Sequence, residues 1–303
     1  MCGMPHKKGC VSMAGIFEAI LTGLLTGAIY ALMASGLTLI FGVMDIINVG
    51  QGALVILGAY LSYVLSVYLH IDLFLGLIIT MPVMFALGVL IEWAFIRPLK
   101  VDRTMLSILV TFAIALIIEG VLSQIFSTTV VKLHAWYVDT SLQIGTFYLG
   151  YIYVFSFLLS LVLLGGLYLL LYHTKFGHSV RASMQDRTAA ALIGIRVERV
   201  SAITFGIGMA LAAAGGMAFG ATSAFNPGSH YDLISRLLAI IILGGMGSLR
   251  GALIASLGML VIENVTAYVW SPVWASTVFF TALVIILLVR PQGLFGRFEG
   301  RKQ

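Results

Sequence analysis

Long runs without a charged residue constrain this chain more than any other feature of its sequence. Such runs occupy residues 19–44, 46–71, 73–91, 140–174, 200–231 and 264–289, and residues 104–127 form another that only Glu119 interrupts. Each run suits an α-helix that crosses a bilayer core, which needs about 20 apolar residues. Soluble domains carry roughly 25% charged residues, whereas this chain carries 10%. We therefore predict an all-α polytopic membrane protein.

The segment 231–268 departs from this pattern. Arg236, Arg250 and Glu263 divide it into apolar runs of 13 and 12 residues, with GGMGS at 244–248 between them. It forms either two short spans or two half-helices that meet at the glycines, so we predict about eight or nine transmembrane helices with glycine-broken segments. Irregular backbone at membrane depth requires protein or a water-filled cavity around it. The candidate pathway residues here are Gly244, Gly245 and Gly247.

A second break, DIINVGQG at 45–52, lies between two apolar runs. It weakly echoes the first, because residues 42–58 and 244–258 each contain Gly-x-Met followed by Gly-Ala-Leu. Paired glycine-interrupted segments indicate a transport site between repeats. Asn48, Gln51 and Gly52 are therefore candidate pathway residues, and the alternative is that the amide side chains cap the ends of spans. Asn-Pro-Gly at 226–228 predicts a turn.

Residues 173–199 form the one long polar segment, HTKFGHSVRASMQDRTAAALIGIRVER. We predict a short helix that Asp186 caps, that continues through alanines and that ends at Gly194. The alternative is one longer helix from Ser179. From physical chemistry alone the segment is either a solvated connector or a docking helix for a cytoplasmic partner.

The basic residues predict the orientation. Residues 97–103, 173–199, 247–251 and the C-terminal tail hold 13 of the 17 lysines and arginines. Basic loops face the cytoplasm, so we place the N-terminus outside and the C-terminus inside. This distribution follows topology and forms no basic patch, so nucleic-acid binding is not expected. We divide the chain into a tail at 1–14, a single transmembrane domain at 15–297 and a tail at 298–303.

Signatures of enzymes and of ion-coupled carriers are missing from the sequence. It contains no His-Glu-x-x-His, Gly-x-Ser-x-Gly or Gly-x-x-x-x-Gly-Lys-Ser/Thr motif, so we predict no catalytic residue, metal site or cofactor. Glu92, Glu119 and Glu263 are scattered along the chain. A stand-alone secondary carrier, which would need clustered charges inside the membrane, is therefore the less favoured class.

Several spaced motifs together resemble the membrane permease of branched-chain amino-acid (LIV-type) ABC importers, from about Gly15 to Arg297. They are GAIYALMASGLTLIFGVMDIINVGQG (27–52), IRPLK (96–100), GHSVRASMQDRTAAALIGIRVERV (177–200), AFNPG (224–228), LGGMGSLRGALIASLG (243–258) and RPQGLFG (290–296). The break at 45–52 is similar to the family's Ile-Asn-Phe-Ala-His-Gly. It differs at residues 49–51 and keeps Asn48 and Gly52.

By this resemblance the 173–199 segment is the loop that docks into the ATPase subunit. It is similar to the importer pattern Glu-Ala-Ala-x-x-x-Gly, with Thr188 in the position of the glutamate. The residues implied in coupling are Gly177, Arg181, Asp186, Ala189, Ala190 and Gly194.

The resemblance also implies a function. The chain would be a permease subunit of an ATP-driven importer for leucine, isoleucine or valine, in the cell (inner) membrane of a bacterium or archaeon. Its expected partners are a second homologous permease, two cytoplasmic ATP-binding subunits, an extracytoplasmic solute-binding protein and membrane lipid. ATP hydrolysis would occur on the partner chains. The alternative solutes are urea, amides or another small molecule.

Overall fold

The computed structural model describes residues 13–99, 103–135, 137–138, 140–144 and 147–295. Nearly all of the predicted tails at 1–14 and 298–303 therefore lies outside the described residues. The helices that precede the polar segment are α1 (Met13–Met44), α2 (Gln51–Tyr68), α3 (Leu73–Ile91), which continues as a π-helical turn (Glu92–Ile96), α4 (Arg103–Phe126) and α5 (Tyr151–His173). Two short strands, β1 (Ser141–Ile144) and β2 (Phe147–Gly150), form an antiparallel hairpin between α4 and α5.

The polar segment forms α6 (Lys175–Gln185) and α7 (Arg187–Leu192). The remaining helices are α8 (Val197–Thr222), a 3-10 turn (Pro227–Ser229), α9 (His230–Gly244), α10 (Leu249–Val269) and α11 (Pro272–Val289). Within the described part of the chain, eight helices are long and apolar enough to cross a membrane. This confirms the predicted polytopic helical protein, to which the structure adds the β1–β2 hairpin.

Helix α9 is too short to be a ninth span. Its 15 residues extend about 22 Å at 1.5 Å per residue, against about 30 Å for a bilayer core. Glu263 does not interrupt helix α10, which continues through it for 21 residues in total. The helix tolerates this carboxylate because Arg236 of α9 pairs with it. The segment is thus a half-length helix followed by a full span, and neither predicted alternative is correct in full.

The basic loops gather at one end of the molecule, which we call the polar end. Arg187 of α7 donates to the Met44 carbonyl at the end of α1, and Thr104 of α4 donates to the Asp45 carbonyl. At the same end, the amides of Leu294 and Phe295 donate to the Leu243 and Gly244 carbonyls in the last turn of α9. This grouping agrees with the distribution of lysines and arginines. Arg236 is an exception, because it lies within α9 rather than in a loop.

Helices α1 and α8 form the centre of the bundle. In the apolar stretches of α1 and α8, 83% and 72% of the residues are buried, whereas in α11 only 11% are buried and the helix faces outward. Small residues let the helices approach closely: a Cβ on Gly216 of α8 would lie 2.1 Å from the Val55 carbonyl oxygen of α2. Such close packing substitutes for the hydrophobic effect, which does not drive association between helices in lipid.

Candidate functional site

The polar segment folds as the short-helix alternative predicts. Asp186 has an extended backbone and ends α6, so one continuous helix from Ser179 is excluded. Its side chain accepts hydrogen bonds from the Thr188 and Ala189 amides over 2.8 and 3.0 Å, which caps α7. Gly194 follows α7 with a φ of +89°, a conformation that favours glycine.

The other residues implied in coupling fix the shape of this helix pair. Gly177 is buried where α6 turns back on α5, and a Cβ there would lie 2.2 Å from the Leu171 carbonyl oxygen. Arg181 contacts His178 over 2.7 Å, and its guanidinium lies 4.9 Å from the centre of the Tyr172 ring. Ala190 is buried, whereas Ala189 is exposed.

Two residues that sequence reasoning missed stand out at the tip of α7. Leu192 is 84% exposed and Ile193 is 76% exposed. Both lie at the polar end, beside the Gly194 turn. Adjacent exposed apolar side chains inside a polar segment are candidates for contact with another protein. The signal in the sequence was two adjacent large aliphatic residues inside the polar segment.

Contacts connect the polar segment to the spans. Besides its 2.9 Å bond to the Met44 carbonyl, Arg187 lies 3.5 Å from the Ser201 hydroxyl of α8. Arg97, just beyond α3, forms an ion pair with Glu198 at the start of α8. A displacement of α7 would therefore be transmitted to α1, and the ion pair joins α8 to α3.

The break at 45–52 is packed inside the chain. Asn48 and Gln51 are 1% and 0% exposed, and the Asn48 amide donates to Gln51 Oε1 over 3.1 Å. Neither side chain caps α2. The N-cap residue of this helix is Gly50, and among the described residues no side chain accepts from the amides of its first turn, so the capping interpretation is wrong for this helix. Gly52 lies against α9, where a Cβ would be 2.5 Å from the His230 carbonyl oxygen.

The second glycine group lies elsewhere. Gly245 and Gly247, with φ of +93° and +82°, form the turn between α9 and α10 at the polar end. Gly244 packs against Gly251, and its carbonyl accepts a bond from the Phe295 amide. The break at 45–52 instead meets Thr111 of α4 and the start of α9. The structure thus gives the two predicted pathway groups different neighbours, although their sequences resemble each other.

The start of α9 brings together charged residues that are far apart in the chain. Tyr231 donates to Glu119 Oε2 of α4 over 2.9 Å. One turn further on, Arg236 bonds to Asp232 over 2.9 Å, to Glu263 of α10 and to the Ser276 hydroxyl over 3.1 Å. The Glu263 side chain is 13% exposed and lies in an ion pair with Arg236. The preceding Asn-Pro-Gly forms a capped 3-10 turn, as predicted.

These features define a polytopic membrane permease: eight spans, a half-length helix at membrane depth and a helix pair that projects at one end. The chain belongs to the family described as "Branched-chain amino acid transport system / permease component", whose sequence pattern matches residues 19–288. It is a transporter subunit and not an enzyme, and as a permease of an ABC transporter it works with partners such as ATPase and binding proteins.

Individual relatives agree with this family. The chain is 26% identical, over 94% of its length and 97% of the relative, to the high-affinity branched-chain amino acid transport system permease protein BraD of Pseudomonas aeruginosa. It is 27% identical, with the same coverage, to LivH of Escherichia coli K12. It is 31% identical, over 88% of both chains, to a probable LivH of the archaeon Methanocaldococcus jannaschii. The chain is thus a multi-pass protein of the cell membrane.

A solved structure shares the fold at low sequence identity. The chain in "PsaBC from Streptococcus pneumoniae in complex with Fab" superposes with a TM-score of 0.50 and 12% identity, over 94% of this chain and 98% of the other.

Proposed function

We propose that this chain is the permease subunit of an ATP-driven importer of branched-chain amino acids such as leucine. The observation that carries the proposal is the family match over residues 19–288. The three relatives described above, two bacterial and one archaeal, are each described as branched-chain amino acid permeases. We favour these solutes over urea, amides or another small molecule for that reason.

In the proposed assembly this chain pairs with a second, homologous permease. Two ATP-binding subunits dock at the polar end, and a solute-binding protein delivers the solute at the opposite end. The polar end is cytoplasmic because it carries most of the basic residues. The N-terminus is then outside and the C-terminus inside, with residues 15–297 as one permease domain.

The α6–α7 pair is the proposed ATPase contact. Leu192 and Ile193 would enter an apolar groove of the ATPase, while Arg181 and neighbouring basic residues would pair with acidic groups around it. Asp186, Gly177 and Gly194 hold the pair in shape, and Ala190 packs it against the spans. The proposed contact also includes the exposed Ala189. Arg187 connects α7 to the end of α1.

The glycine groups have separate proposed roles along the solute pathway. Asn48, Gln51 and Gly52 lie where α2 meets α9, and the solute would reach them when these helices separate. Gly244, Gly245 and Gly247 form the turn at the cytoplasmic end of α9. That turn would act as the hinge that lets α9 move, because positive-φ glycines tolerate large changes in backbone angle.

The proposal is tested by uptake into proteoliposomes that contain this chain, its partner permease, the ATPases and the binding protein. Radiolabelled leucine, isoleucine and valine are compared with urea and acetamide. The docking variant is Leu192→Asp, and its control is Val273→Asp, an 82% exposed apolar residue that follows the opposite end of α10. We expect ATP-dependent leucine uptake in the wild type and the control.

Leu192→Asp should lose ATPase co-purification and at least 90% of uptake, because a buried unpaired carboxylate disrupts an apolar contact by several kcal/mol. Uptake of urea but not leucine by the wild type would refute the solute assignment and leave docking intact. Full ATPase co-purification with Leu192→Asp would refute the docking role.

A further inference from the structure

One face of α9 carries polar side chains that point away from the rest of the chain. Tyr231 is 46% exposed, the Asp232 side chain is 62% exposed, and Ser235 follows on the same exposed face. Glu119 of α4 lies beside them and accepts from the Tyr231 hydroxyl. We call Glu119, Tyr231, Asp232 and Ser235 the acidic face.

The acidic face lies at membrane depth. Glu119 is 16 residues after the start of α4 and 7 before its end, which is about 24 Å and 10 Å along the helix axis. Charged side chains at such a depth face a protein interior or a water-filled cavity, because hydrocarbon does not solvate them. The acidic face is therefore excluded from lipid, and an aqueous cavity shared with the partner permease would solvate it.

Within the described ranges, no lysine or arginine pairs with Glu119. The guanidinium of Arg236 is held by Asp232 and Glu263. Among the described residues, the group that comes within 4 Å of the Glu119 carboxylate as an ion-pair candidate is His230 Nε2, at 3.9 Å from Oε2. The positive end of the α9 dipole favours a negative charge here, but an exposed carboxylate at membrane depth still needs a counter-charge.

His230 presents an acceptor rather than a donor when its ring is neutral. Its Nδ1 lies 2.9 Å from the Pro227 carbonyl oxygen, which can only accept, so Nδ1 carries the hydrogen. The lone pair is then on Nε2. The side chain is 3% exposed, and Nε2 has no hydrogen-bond partner in the described part of the chain. Nε2 thus faces Glu119 Oε2, which accepts from the Tyr231 hydroxyl, and the buried Nε2 acceptor itself has no donor in the described part of the chain, which is costly unless a ligand supplies one.

We propose that Glu119 and His230 bind the ammonium group of the amino acid in transit. An ammonium group brings one positive charge and three donors, which suit a carboxylate and an imidazole nitrogen. Glu119, 24% exposed, receives it from the cavity, and His230 Nε2 accepts from behind once the two groups part. The Tyr231 hydroxyl holds the carboxylate in place. This inference rests on the proposed function and adds the group in the permease that recognises the solute.

The first test measures the local charge without reference to the solute. Ser235→Cys is made in a chain whose two cysteines, Cys2 and Cys10, are replaced by serine. The transporter in proteoliposomes is then treated with water-soluble thiosulfonates of similar size and opposite charge. We expect the cationic reagent to react at least tenfold faster than the anionic one. Adding Glu119→Gln should reduce this ratio to below threefold, whereas the control Glu18→Gln, in the first turns of α1, should leave it unchanged.

Two results of this test would overturn the inference. If neither water-soluble reagent reacts, the face contacts lipid or protein rather than a cavity. If the rate ratio is the same in Glu119→Gln, the carboxylate does not select cations. A neutral reagent serves as the folding control. It should react with Ser235→Cys at the same rate whether or not Glu119→Gln or Glu18→Gln is added.

The second test is transport. Glu119→Gln should lower maximal leucine uptake at least tenfold while ATP hydrolysis stimulated by the binding protein stays within twofold, because the solute loses its site and the ATPase keeps its dock. If the wild type takes up leucine and Glu119→Gln takes it up equally well, the ammonium site is refuted while the proposed function stands. Absence of leucine uptake by the wild type contradicts the proposed function, and the reagent ratio then decides the ammonium site.

Discussion

The ion-pair network around Arg236 yields a quantitative prediction about how α9 is held. The side chains of Arg236 and Glu263 are both 13% exposed, and the guanidinium also bonds to Ser276 of α11. Replacing Arg236 with methionine keeps most of the side-chain volume but leaves the Glu263 carboxylate buried without its cation. Removing one partner of a buried pair typically costs about 3–5 kcal/mol. We expect Arg236→Met to lower the free energy of unfolding by that amount.

The double variant separates the lost pair from lost packing. In Arg236→Met/Glu263→Leu neither charge of the buried pair remains, and the 62% exposed Asp232 loses its partner to the same extent as in Arg236→Met. Buried ion pairs replaced by apolar residues of similar volume are often close to neutral. The double variant should therefore be less destabilised than either single variant. The coupling free energy from the double-mutant cycle should exceed about 2 kcal/mol, within the range for residues in direct contact.

The free energy of unfolding is measured by titration with a denaturing detergent in mixed micelles. Arg250→Met is the control, because Arg250 is exposed at the start of α10, and it should change the free energy by less than about 0.5 kcal/mol. A cost below about 1 kcal/mol for Arg236→Met, or additive effects in the cycle, would refute the view that this pair fixes α9 against α10.

Three further predictions concern packing and capping. Asp186→Ala should destabilise α7 by about 1 kcal/mol, seen as faster amide exchange at residues 188–192, and unchanged exchange would contradict the cap. Gly216→Ala should lower the unfolding temperature, because its Cβ would lie 2.1 Å from the Val55 carbonyl oxygen, whereas Gly165→Ala, in open space, should not. Gly177→Ala should detach α6 from α5 and reduce ATPase co-purification; retained co-purification would exclude a role for this close approach.

Local sequence patterns were sufficient for the spans and for α7 of the polar segment, whereas α6 was not predicted. Apolar runs of membrane length predict helices because lipid leaves no other partner for backbone amides. The cap at Asp186 involves the amides of residues 188 and 189. The turn at Gly194 involves the carbonyl of Ala191. Both features depend on local interactions, so the sequence alone predicted them.

The sequence did not predict the surroundings of residues whose partners are distant along the chain. Glu263 was expected to interrupt a helix, but the cation that stabilises it lies 27 residues earlier on α9. The echo between the two glycine breaks suggested one shared site. The echo segments do meet where Gly247 lies beside Gly42 near the end of α1, but Gly52 packs against the start of α9. Similar local motifs do not determine which helices they pack against.

What the sequence by itself determined is the membrane class, the family and the local turns, because hydrophobicity and capping act over one helix or one turn. Only the tertiary structure placed Glu119 of α4 beside His230 and Tyr231 of α9, more than 100 residues later in the chain. Whether a carboxylate at membrane depth is paired, solvated or available to a ligand depends on which side chains packing brings within a few ångströms of it. A single sequence does not record those distances.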